Sequence, residues 1–306
     1  MTRRALVVGG SGFIGSNLTK ALLEKGWDVA SLDLRAPAER LPGVRYVEAD
    51  FFGEGPLERE CAGADVVFHA LGILNPGNSA ERYRFGYSAE LVRTTELFDA
   101  ATASGARVVY VSSGGTVYAP APTPRREDSP LRPANHYGAM KLAAEAALQA
   151  FSSQRGVPCI IARLSNPYGP GQDHRRGVGF VAAAVGHTLA HEPVKIYGDG
   201  SVVRDYVHIS DACAALCALG SYEGPHRVFN VGSGAGESQR DVIRLLGELG
   251  LRPEVERLPA RPVDAPCSVL DCSLMRAETG VEPRGLRDGL GGYVAWVRGR
   301  MDEKEI

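Results

Sequence analysis

What the chain lacks narrows its function before any motif is considered. Its six cysteines, Cys61, Cys159, Cys213, Cys217, Cys267 and Cys272, form no C-x-x-C pair and have no histidine at metal-ligand spacing. A zinc-binding motif is therefore not expected, and the cysteines read as small buried hydrophobes or free thiols in a reducing compartment. The net charge is -2 and the pI about 6.4. Charges of both signs are interspersed, so no basic face for nucleic acid is indicated. No run approaches the roughly 18 apolar residues of a membrane span. The opening Met-Thr-Arg-Arg and the apolar residues after it resemble a signal peptide only superficially. The run breaks after Val8 into Gly9-Gly10-Ser11-Gly12, and Lys20, Glu24 and Lys25 follow, which is the wrong pattern for export. A cytoplasmic protein without a membrane partner is the expectation. There is no internal repeat and no low-complexity linker, and 306 residues suffice for one large domain or two smaller ones with a substantial core.

What is present is alternation. Residues 4–8 (RALVV) are a short apolar run ending in glycines, and Phe13 to Lys25 have helical spacing, with Ile14, Leu18, Ala21 and Leu22 on one face. This is strand, glycine turn, helix. The turn contains Gly10-x-Gly12-x-x-Gly15, with Gly9 offering an overlapping frame. Glycines let the backbone approach a pyrophosphate, and the helix N-terminus points free N–H groups at it. A second strand, 28–32, ends in Asp33, about where a dinucleotide fold places the carboxylate that accepts the adenosine ribose hydroxyls. A carboxylate there repels the 2′-phosphate of NADP and favours NAD; Arg35 is the one nearby feature on the side of NADP. Asp50, after a strand at 44–49, is placed either to bond the adenine amino group or simply to end a turn.

Strands follow at 65–70 and 107–112, with a long helix within 79–104 between them. Strands alternating with helices predict an α/β fold with a doubly wound parallel sheet, whose ligands sit at the carboxyl ends of the strands. Ser112 to Thr116 is such an end. A proline-rich loop (Pro120, Pro122, Pro124, Pro130, Pro133) then delivers the chain to Tyr137-Gly-Ala-Met-Lys141, which opens an alanine-rich helix. Positions i and i+4 share a helix face, so Tyr137 and Lys141 can point into one cavity. Ionising a tyrosine of pKa about 10 near neutrality needs roughly 3 units, or about 4 kcal/mol. One ammonium at about 6 Å with an effective dielectric of about 20 supplies roughly 3 kcal/mol, and the positive ring of an oxidised nicotinamide could supply the rest. Tyr and Lys four apart also occur by chance, so context decides.

Beyond that helix, strand 157–164 leads into a Gly- and Pro-rich segment, Ser165 to Gln172, where the architecture changes. A helix at 178–190, a short strand at Val194 to Tyr197, a glycine-flanked loop carrying Arg204, a strand at 227–231 and short helices at about 238–249 and 287–299 complete the reading. A guanidinium on such a loop suits a phosphate clamp.

Taken together, Gly9 to Gly15, Asp33, the Ser112–Tyr118 segment, Tyr137 with Lys141, Arg163 to Gly169, Gly198 to Val207, Phe229 to Gly234 and Arg261 to Asp271 resemble an extended short-chain dehydrogenase/reductase of the NAD-dependent epimerase/dehydratase type, most like the UDP-sugar 4-epimerases. The resemblance implies a Rossmann domain formed by 1–165 and about 206–232, and a smaller α/β C-terminal lobe for the nucleotide sugar formed by about 166–205 and 233–306. It implies NAD at Gly9, Gly12, Phe13, Ile14, Gly15, Asp33, Asp50, Phe51, Ala70, Tyr137 and Lys141, and no metal. It also implies a UDP-sugar at Asn166, Tyr197, Arg204, Arg261 and Asp264, and a homodimer through the helices within 79–104 and 137–154. The implied reaction is a 4-epimerisation by transient oxidation at C4, with Tyr137 as base and Lys141 tuning it. The alternatives are an NAD(P)H-dependent ketoreductase of a nucleotide-linked deoxysugar and a non-catalytic NAD-binding regulator.

The chain departs from the family pattern at several positions. The helper hydroxyl is expected four residues before Tyr118, where this chain has Gly114; Thr116 is the first substitute and Ser113 the second. Glu90 replaces an asparagine of the central helix, and Leu74 a lysine found in some epimerases. Gly115 and Thr116 stand where 4,6-dehydratases of this type carry an Asp-Glu pair and decarboxylases a Glu, which argues against both activities. Ser268, beside Cys267, occupies the size-gate position and leaves room for an N-acetyl group. Arg175 and Arg176 are candidates for a glucuronate carboxylate, although Gly171 stands where many glucuronate-using relatives have arginine.

Overall fold

A computed structural model describes residues 2–53, 57–120, 123–176, 179–260 and 265–302. In chain order the elements are β1 (Arg4–Val8), α1 (Phe13–Glu24), β2 (Asp28–Asp33), β3 (Val44–Glu48), α2 (Leu57–Ala62), β4 (Val66–His69), α3 (Ser79–Phe85), α4 (Leu91–Ala103), β5 (Arg107–Ser113), α5 (His136–Arg155), β6 (Ile160–Leu164), β7 (Asn166–Tyr168), α6 (Phe180–Leu189), β8 (Val194–Tyr197), β9 (Val203–His208), α7 (Ile209–Gly220), β10 (Val228–Val231), β11 (Gly236–Ser238), α8 (Gln239–Glu248), β12 (Val255–Leu258), β13 (Cys267–Ser268), α9 (Ser273–Thr279) and α10 (Leu286–Asp302).

The seven-stranded sheet runs β10-β6-β5-β4-β1-β2-β3, and every pair in it is parallel. The order reverses between β1 and β4, so the crevice at their carboxyl ends is the place where this topology binds ligands. The central strands are buried on both faces, as parallel sheets require. One face carries α1, α7 and α9 over a core that includes Val7, Phe68, Ile160 and Leu216; the other carries α2, α4 and α5 over Leu6, Leu32, Phe98 and Tyr110. A third core, with Tyr168, Val185, Leu246 and Tyr293, belongs to the smaller lobe. There β11-β9-β13 form a sheet joined by β7, and β8 pairs in parallel with β12.

Several expectations are revised by these elements. The helix within 79–104 is interrupted: Gly86–Glu90 winds as a single π-turn between α3 and α4. Arg204 lies on strand β9, paired with Ser268 and Glu237, and not on a loop. The twelve-residue α7 was not anticipated, because its sequence is apolar almost all round and shows no amphipathic period. Leu270, Cys272 and Met275 join the core beneath the large sheet, although the expected lobe boundary would assign them to the smaller lobe.

The lobes share a carboxylate. Asp205, fully buried on β9, accepts hydrogen bonds from Ser233 N (2.8 Å), Ser233 Oγ (2.7 Å), Gly234 N (3.2 Å) and Leu270 N (3.4 Å). A second link runs from Asn17 Nδ2 on α1 to the carbonyl of Pro170 (2.9 Å).

Candidate active site

Three features converge on the crevice at the carboxyl ends of β1, β4 and β5. The first is the glycine turn. Gly9 has φ +82°, a conformation that favours glycine. A β-carbon on it would stand 2.7 Å from the Leu71 Cα, and one on Gly15 only 2.0 Å from the Gly9 carbonyl oxygen. Helix α1 starts from Gly12 without a side-chain cap and with no acidic residue in its first turn, so its N-terminus offers N–H groups to an anion. The half-buried Phe13 and Ile14 open that first turn. Asp33, at the end of β2, is pinned to the turn, its Oδ2 accepting from Ser11 N at 2.9 Å and its Oδ1 from Leu34 N at 2.7 Å. Ala70 N bonds the Val8 carbonyl at 2.9 Å, which places Ala70 on the same rim. These residues fit a dinucleotide: a narrow backbone cradle, an uncapped helix end and a carboxylate beside them. Asp50 and Phe51 follow the end of β3. Asp50 is exposed and Oδ1 closes its own turn onto Phe52 N at 2.9 Å. The ring of Phe51 is buried in the core against Phe52 and His69.

The second feature is the start of α5. Asn135 caps it, accepting from Gly138 N at 2.8 Å. A β-carbon on Gly138 would lie 2.4 Å from the Thr116 carbonyl oxygen, so glycine at this position lets the helix rest directly on the end of the β5 segment. Tyr137 is thereby brought near Ser113; burial pushes the phenol up to about 12, the Ser113 hydroxyl opposes this, and the Glu90 carboxylate adds to it. The Thr116 Oγ1 is buried with no hydrogen-bond partner. Of the two substitutes for the helper hydroxyl, Ser113 is the one that acts on the Tyr137 phenol. Gly114 has no room for a side chain at all: its β-carbon would meet Leu270 Cδ1 at 2.5 Å and the Arg163 carbonyl oxygen at 3.0 Å.

Lys141 is the third feature. Its Nζ donates to the Val111 carbonyl at 3.0 Å and lies 4.7 Å from the centre of the Tyr110 ring and 5.8 Å from that of Tyr137. Burial lowers its ammonium to about 8, against the opposing charges of Glu90 and Glu145. Glu145 was not among the expected residues. It lies one further turn along the same face and forms a buried ion pair with Arg163 on β6 (2.7 Å), while Ser112 Oγ donates to it at 2.5 Å. An isolated acid in the alanine-rich stretch Ala143-Ala144-Glu145-Ala146-Ala147 was the available signal, because a charge there needs a partner. Arg163 also donates to Tyr118 OH (3.0 Å), which in turn donates to Asn230 Oδ1 (2.6 Å).

On the side of the smaller lobe, Asn166 Nδ2 on β7 donates to the Asp205 carbonyl at 3.0 Å. Arg204 Nη1 donates to the carbonyl of Ala265 at 2.7 Å. Tyr197 is half-buried at the end of β8. Ser268 is buried, its hydroxyl accepting from Arg125 Nη1 at 3.2 Å. Arg261 and Asp264 lie outside the described residues, as does the side chain of Arg176. Arg175 pairs with Asp173 at 2.9 Å. Among the described residues no group of three or more His, Cys, Asp or Glu could hold a metal ion, and no helix is long and apolar enough to cross a membrane.

Comparison with known proteins matches the NAD dependent epimerase/dehydratase family to residues 5–232. The chain belongs to that family. Within the NAD dependent epimerase/dehydratase family it is similar to the UDP-glucose 4-epimerase of Mycolicibacterium smegmatis, with 33% identity over 97% of this chain and 99% of that one. It is also similar to the dTDP-6-deoxy-L-talose 4-dehydrogenase (NAD(P)(+)) of Kitasatospora kifunensis, with 34% identity over 92% and 91%. Among solved structures, MoeE5 in complex with UDP-glucuronic acid and NAD superposes with a TM-score of 0.89 at 32% identity, covering 97% of this chain and 99% of that one. The protein is thus an NAD-dependent enzyme of the extended short-chain dehydrogenase/reductase type, of the isomerase class, built on the Rossmann arrangement.

Proposed function

We propose that the protein is a 4-epimerase of a UDP-hexose of the glucose/galactose type. The observation that carries this reading is the assembly of Ser113, Tyr137 and Lys141 beside the glycine cradle, in a segment with no carboxylate at positions 114–116. Without an acid there, the site has no group for elimination at C5 and C6 of a sugar. A phenol beside a serine hydroxyl and flanked by a lysine is suited to move one proton at a hydroxyl. Tyr137 takes the proton of the sugar 4-hydroxyl and later returns it, and Ser113 holds that oxygen in line. Lys141 supports the phenolate electrostatically and is anchored by the Val111 carbonyl. When bound, NAD supplies the acceptor, and afterwards the donor, of the C4 hydride.

Retention of the nucleotide while the sugar turns falls to the smaller lobe. In this reading Asn166, Arg204 and Arg261 hold the diphosphate, Tyr197 lies against the uracil and Asp264 meets the ribose. Incubating the protein with UDP-galactose, UDP-N-acetylgalactosamine and UDP-glucuronate without added reductant tests the reading. A 4-epimer from one of them is the expected result, and none from any would overturn it. The small Ser268 at the gate makes the N-acetylated sugar the second substrate to examine.

One observation favours a second reading, the ketoreductase. Burial keeps Tyr137 a neutral phenol, the state a proton donor needs, and a relative bears the name of a deoxysugar 4-dehydrogenase. Oxidation of NADH or NADPH with a 4-keto sugar nucleotide, together with failure of the epimerase assay, would establish it. A regulator that binds NAD without turnover would keep its function in Tyr137→Phe, which both enzymes would not. We further propose a homodimer through α3, α4 and α5, where Tyr83, Tyr87 and Val92 are exposed; light scattering at micromolar concentration is the check.

A further inference from the structure

Glu90 is a buried acid that the proposed reaction does not use. Only 2% of its surface is exposed, and among the described residues no lysine or arginine lies within ion-pair distance of it. Its Oε2 accepts from Leu74 N at 2.9 Å and from Ile73 N at 3.2 Å, so it anchors the loop that follows β4. It closes the π-turn Gly86–Glu90, a device that inserts one residue and so rotates the positions after it. The turn and the loop interlock: a β-carbon on Gly86 would stand 2.3 Å from Leu74 Cδ2. Two contacts fix which part of α5 lies opposite. Tyr87 OH meets His136 Nδ1 at 3.3 Å, and farther along Asp99 pairs with Arg155 at 2.6 Å. The two segments therefore run side by side in one direction, and the stretch holding Glu90 faces the stretch holding Tyr137 and Lys141.

We infer that Glu90 is a positioning residue of the Tyr137–Lys141 pair: anchored on the Ile73 and Leu74 N–H groups at the end of the π-turn that faces the start of α5, its carboxyl group supplies the charge against which the pair is set. A neutral amide here could hold the loop equally well through its oxygen but would leave the charges of the pair unsupported. The groups that face this cluster come from every neighbouring element. The Lys141 ammonium lies 4.7 Å from the centre of the Tyr110 ring of β5 and 5.8 Å from that of Tyr137, while Glu145 of α5, His69 of β4 and Arg82 of α3 act on the cluster through their charges without pairing with Glu90 or Lys141. Glu90 raises both Lys141 and Tyr137, and its own carboxyl is raised by burial against the two N–H bonds and Lys141. The inference rests on the catalytic pair assigned above, and its test is independent of turnover.

The chain has five lysines, Lys20, Lys25, Lys141, Lys195 and Lys304, so the Lys141 Cε resonance in carbon-13-labelled protein can be assigned by its loss in Lys141→Met. In Glu90→Gln, which keeps the acceptor oxygen and removes the charge, the Lys141 midpoint should fall by about one pH unit, a tenfold change in its ionisation constant. Glu90→Asp keeps the charge and should leave the midpoint in place while amide exchange in residues 72–74 quickens. A Glu90→Gln midpoint equal to that of the unaltered protein would overturn the inference; if Gln does not fold, a fall of the same size in Glu90→Asp would overturn it instead. Should an epimerisation assay succeed, both limbs of its pH profile should move down in Glu90→Gln, a shift that a purely structural role would not produce. A moved midpoint in a protein that epimerises no sugar would leave this inference standing and remove the epimerase reading.

Discussion

Leu270 occupies the place that a side chain on Gly114 would need, its Cδ1 lying 2.5 Å from where the β-carbon would be. The hydroxyl that the family pattern leads one to expect at position 114 is thus excluded by a leucine on a distant segment. Gly114→Ser should destabilise the protein by about 1–3 kcal/mol, the usual cost of overfilling a packed site, and should not raise activity. Chemical denaturation and initial rates measure the two.

Ser113 and Thr116 should separate cleanly. Ser113→Ala is expected to lower kcat by on the order of 100-fold or more, the scale of a lost group in proton transfer. Thr116→Val replaces a buried hydroxyl that bonds nothing, so activity should stay within a few-fold and stability should hold or rise, since an unpaired buried polar atom costs about 1–3 kcal/mol. Parallel kinetics on the two variants decide between them.

The Glu145–Arg163 pair, with side-chain exposures of 3% and 4%, ties α5 to β6. Glu145→Ala leaves a buried guanidinium without its carboxylate and should cost about 3–5 kcal/mol. Replacing both partners by apolar residues of similar size should recover much of that loss. Denaturation midpoints of the single and double variants test this.

Activity and stability should diverge in alkali. The Lys141 ammonium, lowered by burial to about 8, loses its proton in the folded protein while the unfolded chain, near 10.4, still holds one. Between those values the unfolded state binds more protons, so this group's contribution to stability rises with pH. The same deprotonation removes the charge that supports Tyr137, so kcat should fall as pH rises through about 8. Rate profiles and denaturation over the same pH range, compared with Lys141→Met for stability, give the check.

Much of this arrangement was legible in the sequence, and the rest was hidden for identifiable reasons. The strands that end at Val8, Asp33 and Ser113 were marked by apolar runs stopping at glycine, acid or serine, and Tyr137 with Lys141 by helical spacing. The π-turn was hidden because helix continues on both sides of Gly86–Glu90, so the stretch reads as one helical element. Helix α7 was hidden because its outward face, Ser210, Ala214 and Ala218, is mostly alanine and gives little polar contrast to set its period. The positions of Ser113 and Thr116 relative to Tyr137 depend on where Gly138 lets α5 rest. The fit at Gly114 depended on Leu270, more than 150 residues away in the chain.

Asp205 carries one last consequence. Its four hydrogen bonds come from the end of the large sheet and from the returning C-terminal segment, while its own strand belongs to the smaller lobe. Swinging the two lobes apart would strip those bonds from a carboxylate with no access to water. The buried carboxylate therefore acts as a rivet that holds the two walls of the cleft at a fixed separation at this point.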